Sequence, residues 1–107
     1  MSATIDTEHF KKRLLEERAR VHQTPVDVAL RRVRGPVDLV FLDPPYADTQ
    51  SLEHTLKTLG SSSLLAPTSV VVLEQSAVAS APESVGDLKL NKTRRHGRTR
   101  ISLYGAE

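Results

Sequence analysis

The stretch Val37-Asp38-Leu39-Val40-Phe41-Leu42-Asp43-Pro44-Pro45-Tyr46 constrains this chain more than any other. Its apolar run is the pattern of a strand buried on both faces. Pro44 and Pro45 have no N–H to offer a sheet ladder, so the strand stops at Asp43. A carboxylate is thereby held at the carboxyl end of an interior strand, where open α/β sheets bind their ligands.

The flanking segments supply partners for that strand. Thr24-Pro25-Val26-Asp27 reads as a helix start, with Thr24 as cap, Pro25 at the first helical position and Asp27 closing a capping box. Val26, Ala29, Leu30 and Val33 follow at helical spacing, and Gly35-Pro36 ends the helix, the glycine as a left-handed cap. Helix 25–34 then feeds strand 37–43 through a short link, the αβ half of a βαβ unit. Beyond Tyr46, Asp48 caps a helix of about residues 49–59, with Leu52, Leu56 and Leu59 as its buried stripe and Gly60 as its stop.

Ser69–Glu74 is a second β-branched run, hence a second interior strand. Run parallel to the first, it brings Glu74 to the same sheet edge as Asp43. Leu64 and Leu65 form an apolar plug before Pro67, and residues 76–86 are a surface connection. The pattern then alternates: Leu88, Leu90, Ile101 and Leu103 are spaced by polar residues around the turn Arg95-His96-Gly97-Arg98. This predicts an antiparallel hairpin with those apolar residues buried and a basic opposite face. Upstream, residues 7–19 read as a helix on Phe10, Leu14 and Leu15, and Arg20–Gln23 as a short strand.

At 107 residues the chain is one domain at most. Without cysteine there is no disulfide framework or thiolate metal site, which suits a reducing, cytoplasmic setting. His9, His22, His54 and His96 show no ligand spacing, so no metal is expected. The polar start lacks a signal-peptide core, and no apolar run reaches membrane-spanning length. The net charge is only +2, but Lys89, Lys92, Arg94, Arg95, Arg98 and Arg100 cluster without an acidic residue among them. Such a local patch suits a polyanion, with Lys92, Arg94, Arg95, His96, Arg98 and Arg100 as candidate RNA contacts.

Taken alone, the four-residue match Asp-Pro-Pro-Tyr would favour a plain turn, with the Asp capping its own backbone. After a buried strand, however, Asp43-Pro44-Pro45-Tyr46 resembles the catalytic motif of S-adenosylmethionine-dependent amino-methyltransferases acting on nucleobases. An exocyclic amine is a poor nucleophile because its lone pair is delocalised into the ring. Acceptors directed at its hydrogens, here the Asp43 carboxylate and the Pro44 carbonyl, favour a tetrahedral nitrogen whose lone pair can attack. Tyr46 offers a face for an extruded base, worth about 1–3 kcal/mol per stacked base.

The order of features from about Val21 to Tyr104 is similar to the bacterial 16S ribosomal RNA guanine-N2 methyltransferases. The matching pieces are Val37–Tyr46, Leu64-Leu65-Ala66-Pro67, Val70–Glu74 and the ending Arg94 through Tyr104 with Gly97 and Thr99. The resemblance implies a Rossmann-like class I methyltransferase fold, with parallel strands plus a C-terminal antiparallel hairpin. It also implies methylation of a guanine N2 amine, S-adenosylmethionine as cofactor, and ribosomal RNA or the small ribosomal subunit particle as partner. DNA adenine-N6 methyltransferases share the tetrapeptide. A non-catalytic RNA-binding remnant is the reading from another class.

The departures are specific. The family holds its cofactor by a glycine-rich loop after its first strand, whereas the glycines here (35, 60, 86, 97 and 105) are isolated. Near the adenine the family carries Asp or Asn, for which Gln23 and Thr24 are the substitutes here. The expectation is a truncated chain: an atypical N-terminal helix in residues 1–20, then the C-terminal half of a methyltransferase domain in 21–107. Lacking the first strand, strand 37–43 would present an exposed edge and self-associate.

Overall fold

The computed structural model describes residues 2–6, 21–43 and 49–106. Its elements are β1 (Ser2–Asp6), β2 (Val21–Pro25), α1 (Val26–Arg32), β3 (Val37–Leu42), α2 (Thr49–Gly60), β4 (Leu65–Ser76), β5 (Ser84–Val85), β6 (Leu88–His96) and β7 (Thr99–Ala106). The strands form one seven-stranded sheet in the order β2-β1-β3-β4-β7-β6-β5. Only β3 and β4 pair in parallel; the other neighbouring pairs are antiparallel. The mixed sheet agrees with a partial Rossmann-like methyltransferase fold.

The edge expected along strand 37–43 does not exist. β1 pairs antiparallel with β3, from Ala3 opposite Leu42 to Asp6 opposite Leu39, and β4 pairs with its other side. Both ladders of β3 are satisfied, so the reason for self-association through that edge is removed. The expected N-terminal helix over 7–19 lies outside the described residues.

One face of the sheet carries the core. Val40 and Leu42 of β3, Val71 and Leu73 of β4, Tyr104 of β7 and Leu88 of β6 meet Leu52, Leu56 and Leu59 of α2 and Val26 and Ala29 of α1. Of the helical stripes read from the sequence, Leu52, Leu56, Leu59, Val26 and Ala29 are buried, while Leu30 and Val33 are half-buried against them and Val33 follows the end of α1. Truncating a wholly buried leucine such as Leu56 costs about 2–5 kcal/mol. The opposite face is open: Leu39, Val70, Val72, Ile101 and Leu103 are half-buried, and Phe41 is 45% exposed.

Several local expectations are corrected. Thr24 does not cap α1; it lies within β2, and no side chain caps the helix, whose cap position is Pro25. Gly35 is not a left-handed cap, since the helix ends at Arg32. Its lack of a side chain serves a close approach instead: a Cβ there would sit 2.6 Å from Leu64 Cα. α2 runs through Gly60 and is closed by Ser62, whose hydroxyl donates to the Leu59 carbonyl at 2.7 Å. β4 starts earlier than expected and contains Pro67, because the pairing slips between Val37 opposite Leu65 and Leu39 opposite Val70. Buried Ser69 closes the slip, donating to the Val37 carbonyl and accepting from the Ala66 N–H. Pro67 therefore sits where no ladder N–H is required.

The hairpin faces the other way from its sequence reading. Leu88 is buried as expected, but the inward residues of β7 are Ser102 and Tyr104, both fully buried, while Ile101 and Leu103 lie on the open face. Tyr104 opposes Val71 on one side and Leu90 on the other, which fixes that parity. Its hydroxyl donates to the Pro82 carbonyl at 2.7 Å, pinning the connection after β4.

Burial raises the Tyr104 pKa from 10.0 to about 12. Because the folded value is the higher one, this phenol's contribution to stability is complete below pH 10 and is lost as pH rises through 12. Tyr104→Phe is expected to cost about 1 kcal/mol near neutral pH through the lost hydrogen bond. Between pH 10 and 12 the unmodified chain should lose stability more steeply than the variant in denaturant titrations. Parallel pH profiles would contradict the burial of this hydroxyl.

Candidate active site

Asp43 follows directly on β3, and it is exposed although Leu42 before it is buried. Leu42 pairs with Leu73, so the next residue on each parallel strand, Asp43 and Glu74, reaches the same sheet edge. Alternation turns both away from the core, toward the open face. Glu74 is exposed and does not end its strand, which continues to Ser76. Pro44, Pro45 and Tyr46 lie outside the described residues.

The row continues across the sheet. Glu74 opposes Ile101 on β7, and Ile101 opposes Arg94 on β6. Asp43, Glu74, Ile101 and Arg94 therefore occupy successive strands along one line of the open face. At about 4.8 Å per strand, Arg94 stands about 14 Å from Asp43.

The candidate RNA contacts separate into distinct positions. β6 carries one extra residue, Asn91, between Leu90 opposite Tyr104 and Lys92 opposite Leu103. This bulge resets the alternation, so Leu88 and Leu90 point to the core while Lys92, Arg94 and His96 share the open face with Ile101 and Leu103. Arg95 lies on the other face, where its Nε donates to the Gly97 carbonyl at 3.0 Å. Arg98 is in the exposed turn whose Gly97 has φ +59°. Arg100 is half-buried and donates to the Ala77 carbonyl at 3.1 Å. Arg100 and Tyr104 thus brace the same connection, at Ala77 and at Pro82. Ile101 and Leu103 are site-face residues that the alternation misassigned. The aromatic Tyr104, in a chain with 4% aromatics, was the signal for the inward parity.

The cofactor that the sequence resemblance implies is S-adenosylmethionine. The described residues at the neighbouring corner do not make a cradle for it. The seat beside β3 holds β1, which runs antiparallel and contains no glycine. Gln23 and Thr24 are one strand further out, on β2. Gln23 is exposed, and the Thr24 hydroxyl is directed at the adjacent Pro25 carbonyl at 3.5 Å.

Comparison with known proteins follows the same lines. A Bacillus subtilis (strain 168) protein described as "Putative rRNA methyltransferase YlbH" is 32% identical over 65 residues, covering 61% of this chain and 35% of that protein. A solved conserved hypothetical protein of Streptococcus pyogenes superposes with a TM-score of 0.66 at 31% identity, covering 76% of this chain and 50% of the other. The Escherichia coli structure described as "Putative methyltransferase yhhF" covers 91% of this chain and 55% of its own at a TM-score of 0.59; at 24% identity it speaks for the fold alone. The chain therefore spans about a third to about half the length of these relatives. The family model described as conserved hypothetical protein 95 matches residues 3–105, and the chain belongs to that family.

Proposed function

We propose that this chain carries the base-handling part of a site that methylates a guanine N2 amine in small-subunit ribosomal RNA. The observation that carries the reading is Asp43, an exposed carboxylate on the end of an interior strand whose Val40 and Leu42 are 0% and 1% exposed. A strand so anchored cannot yield when a base is pressed against its end, and positioning of this kind is the larger part of such catalysis. The Asp43 carboxylate accepts a hydrogen of the amine and localises the nitrogen lone pair. The Pro44 carbonyl and the Tyr46 ring complete the turn in this reading. The cation-bearing open face of the hairpin holds the phosphates, and a ribosomal substrate places the work in the cytoplasm.

A second reading is an RNA-binding module that keeps the turn without performing the reaction. It is favoured by one observation, the antiparallel β1 in the seat beside β3. Calorimetric titration of the chain with S-adenosylmethionine puts the second reading at risk. No measurable heat at micromolar concentrations is expected of these 107 residues. Micromolar binding would dispose of the second reading.

The role of Asp43 can be tested without the cofactor. Inosine is guanosine without the N2 amine. The chain should prefer a guanine-bearing single-stranded RNA over its inosine counterpart by about tenfold, the worth of one hydrogen bond to a charged group. Asp43→Ala should erase that preference while leaving the inosine affinity unchanged. Equal binding of the two RNAs by the unmodified chain would refute the assignment.

A further inference from the structure

The open face of the hairpin is more than a charged surface. Lys92, Arg94, His96, Ile101 and Leu103 line a groove of about 180 Å³. Its lining joins two chemistries: half-buried aliphatic side chains from β7, and exposed cationic or ionisable ones from β6. No carboxylate is among the lining residues. The volume is below the 300–1,000 Å³ of typical small-molecule pockets, so it suits a single flat ring rather than a large ligand. A free phosphate would have no use for the aliphatic floor, and an apolar peptide would leave the cations unmatched.

We propose that this groove seats a nucleotide flanking the target base in single-stranded RNA. Its base lies on Ile101 and Leu103, and its phosphates are held by Lys92 and Arg94, with His96 at the rim. The inference rests on the RNA reading of Asp43 and deepens it, because the groove lies in the same register row. Arg94 and Asp43 are separated by about 14 Å along that row, within the span of a short run of nucleotides. Glu74, next to Ile101 in the row, repels phosphate and keeps the backbone toward β6. The bulge at Asn91 makes the arrangement possible by turning Lys92, Arg94 and His96 onto the face that holds the aliphatic floor.

The test is fluorescence anisotropy with a short single-stranded RNA and charge-matched double variants. All the substituted side chains are exposed, so the fold should survive both changes. Lys92→Ala/Arg94→Ala should weaken binding at least tenfold and flatten the slope of log affinity against log salt by about 1.4, two phosphate contacts on a single strand. Arg32→Ala/Arg34→Ala removes the same charge at and just beyond the end of α1, which packs on the opposite face of the sheet, and should change affinity less than about twofold. An oligonucleotide of equal length and charge, abasic at the flanking positions, should bind several-fold more weakly than the intact RNA. Equal losses in the two double variants, or equal affinity for the abasic strand, would overturn the groove while leaving an RNA substrate in place. Absence of any RNA binding by the unmodified chain would overturn the RNA reading itself, and the groove with it.

Discussion

The parallel pairing of β3 with β4 is the constraint on which the rest of this structure depends. Parallel neighbours cannot be joined by a tight turn, so the chain must cross over one face of the sheet. The crossover contains α2, and its leucines bury Val40, Leu42, Val71 and Leu73 beneath them. The same pairing brings the ends of both strands to one edge, which sets Asp43 and Glu74 together. Core and candidate site are thus two results of one hydrogen-bonded ladder, and neither can be shifted by a residue without displacing the other.

What the sequence made legible follows from how local each signal is. β3 and β4 were readable as continuous apolar runs, and α2 from the spacing of Leu52, Leu56 and Leu59. Gly97, with its positive φ, marked the hairpin turn. β1 was not readable, because Ser2–Asp6 is mostly polar and becomes a strand only by pairing with distant β2 and β3. Nor was the extent of β4, since the tolerance of Pro67 depends on Ser69 reaching across to the Val37 carbonyl. These features belong to pairings between remote segments, which single-strand patterns do not encode.

The site divides in the same manner. Asp43 was legible because prolines state where a ladder must end, and its exposure after a buried strand accords with that reading. The division of labour in the ending Arg94–Tyr104 was not, since a motif does not distinguish residues that meet a partner from those that brace the fold. Arg100 and Tyr104 turn out to hold the connection after β4, through Ala77 and Pro82. The corner beside β3 is likewise decided by strand direction, a property that composition does not carry.

The bulge in β6 has a consequence for how this hairpin can vary in length. Asn91 is the surplus residue, and the pairs on either side, Leu90 with Tyr104 and Lys92 with Leu103, already differ by one step on β7. Removing Asn91 would leave a regular ladder with every other side chain on its present face. Removing or adding a residue between Lys92 and His96 would instead exchange the two faces, sending cations toward the core and threonine toward solvent. In this hairpin the chemistry of the outer surface is a matter of counting, and Asn91 is the one place in β6 where the count is free.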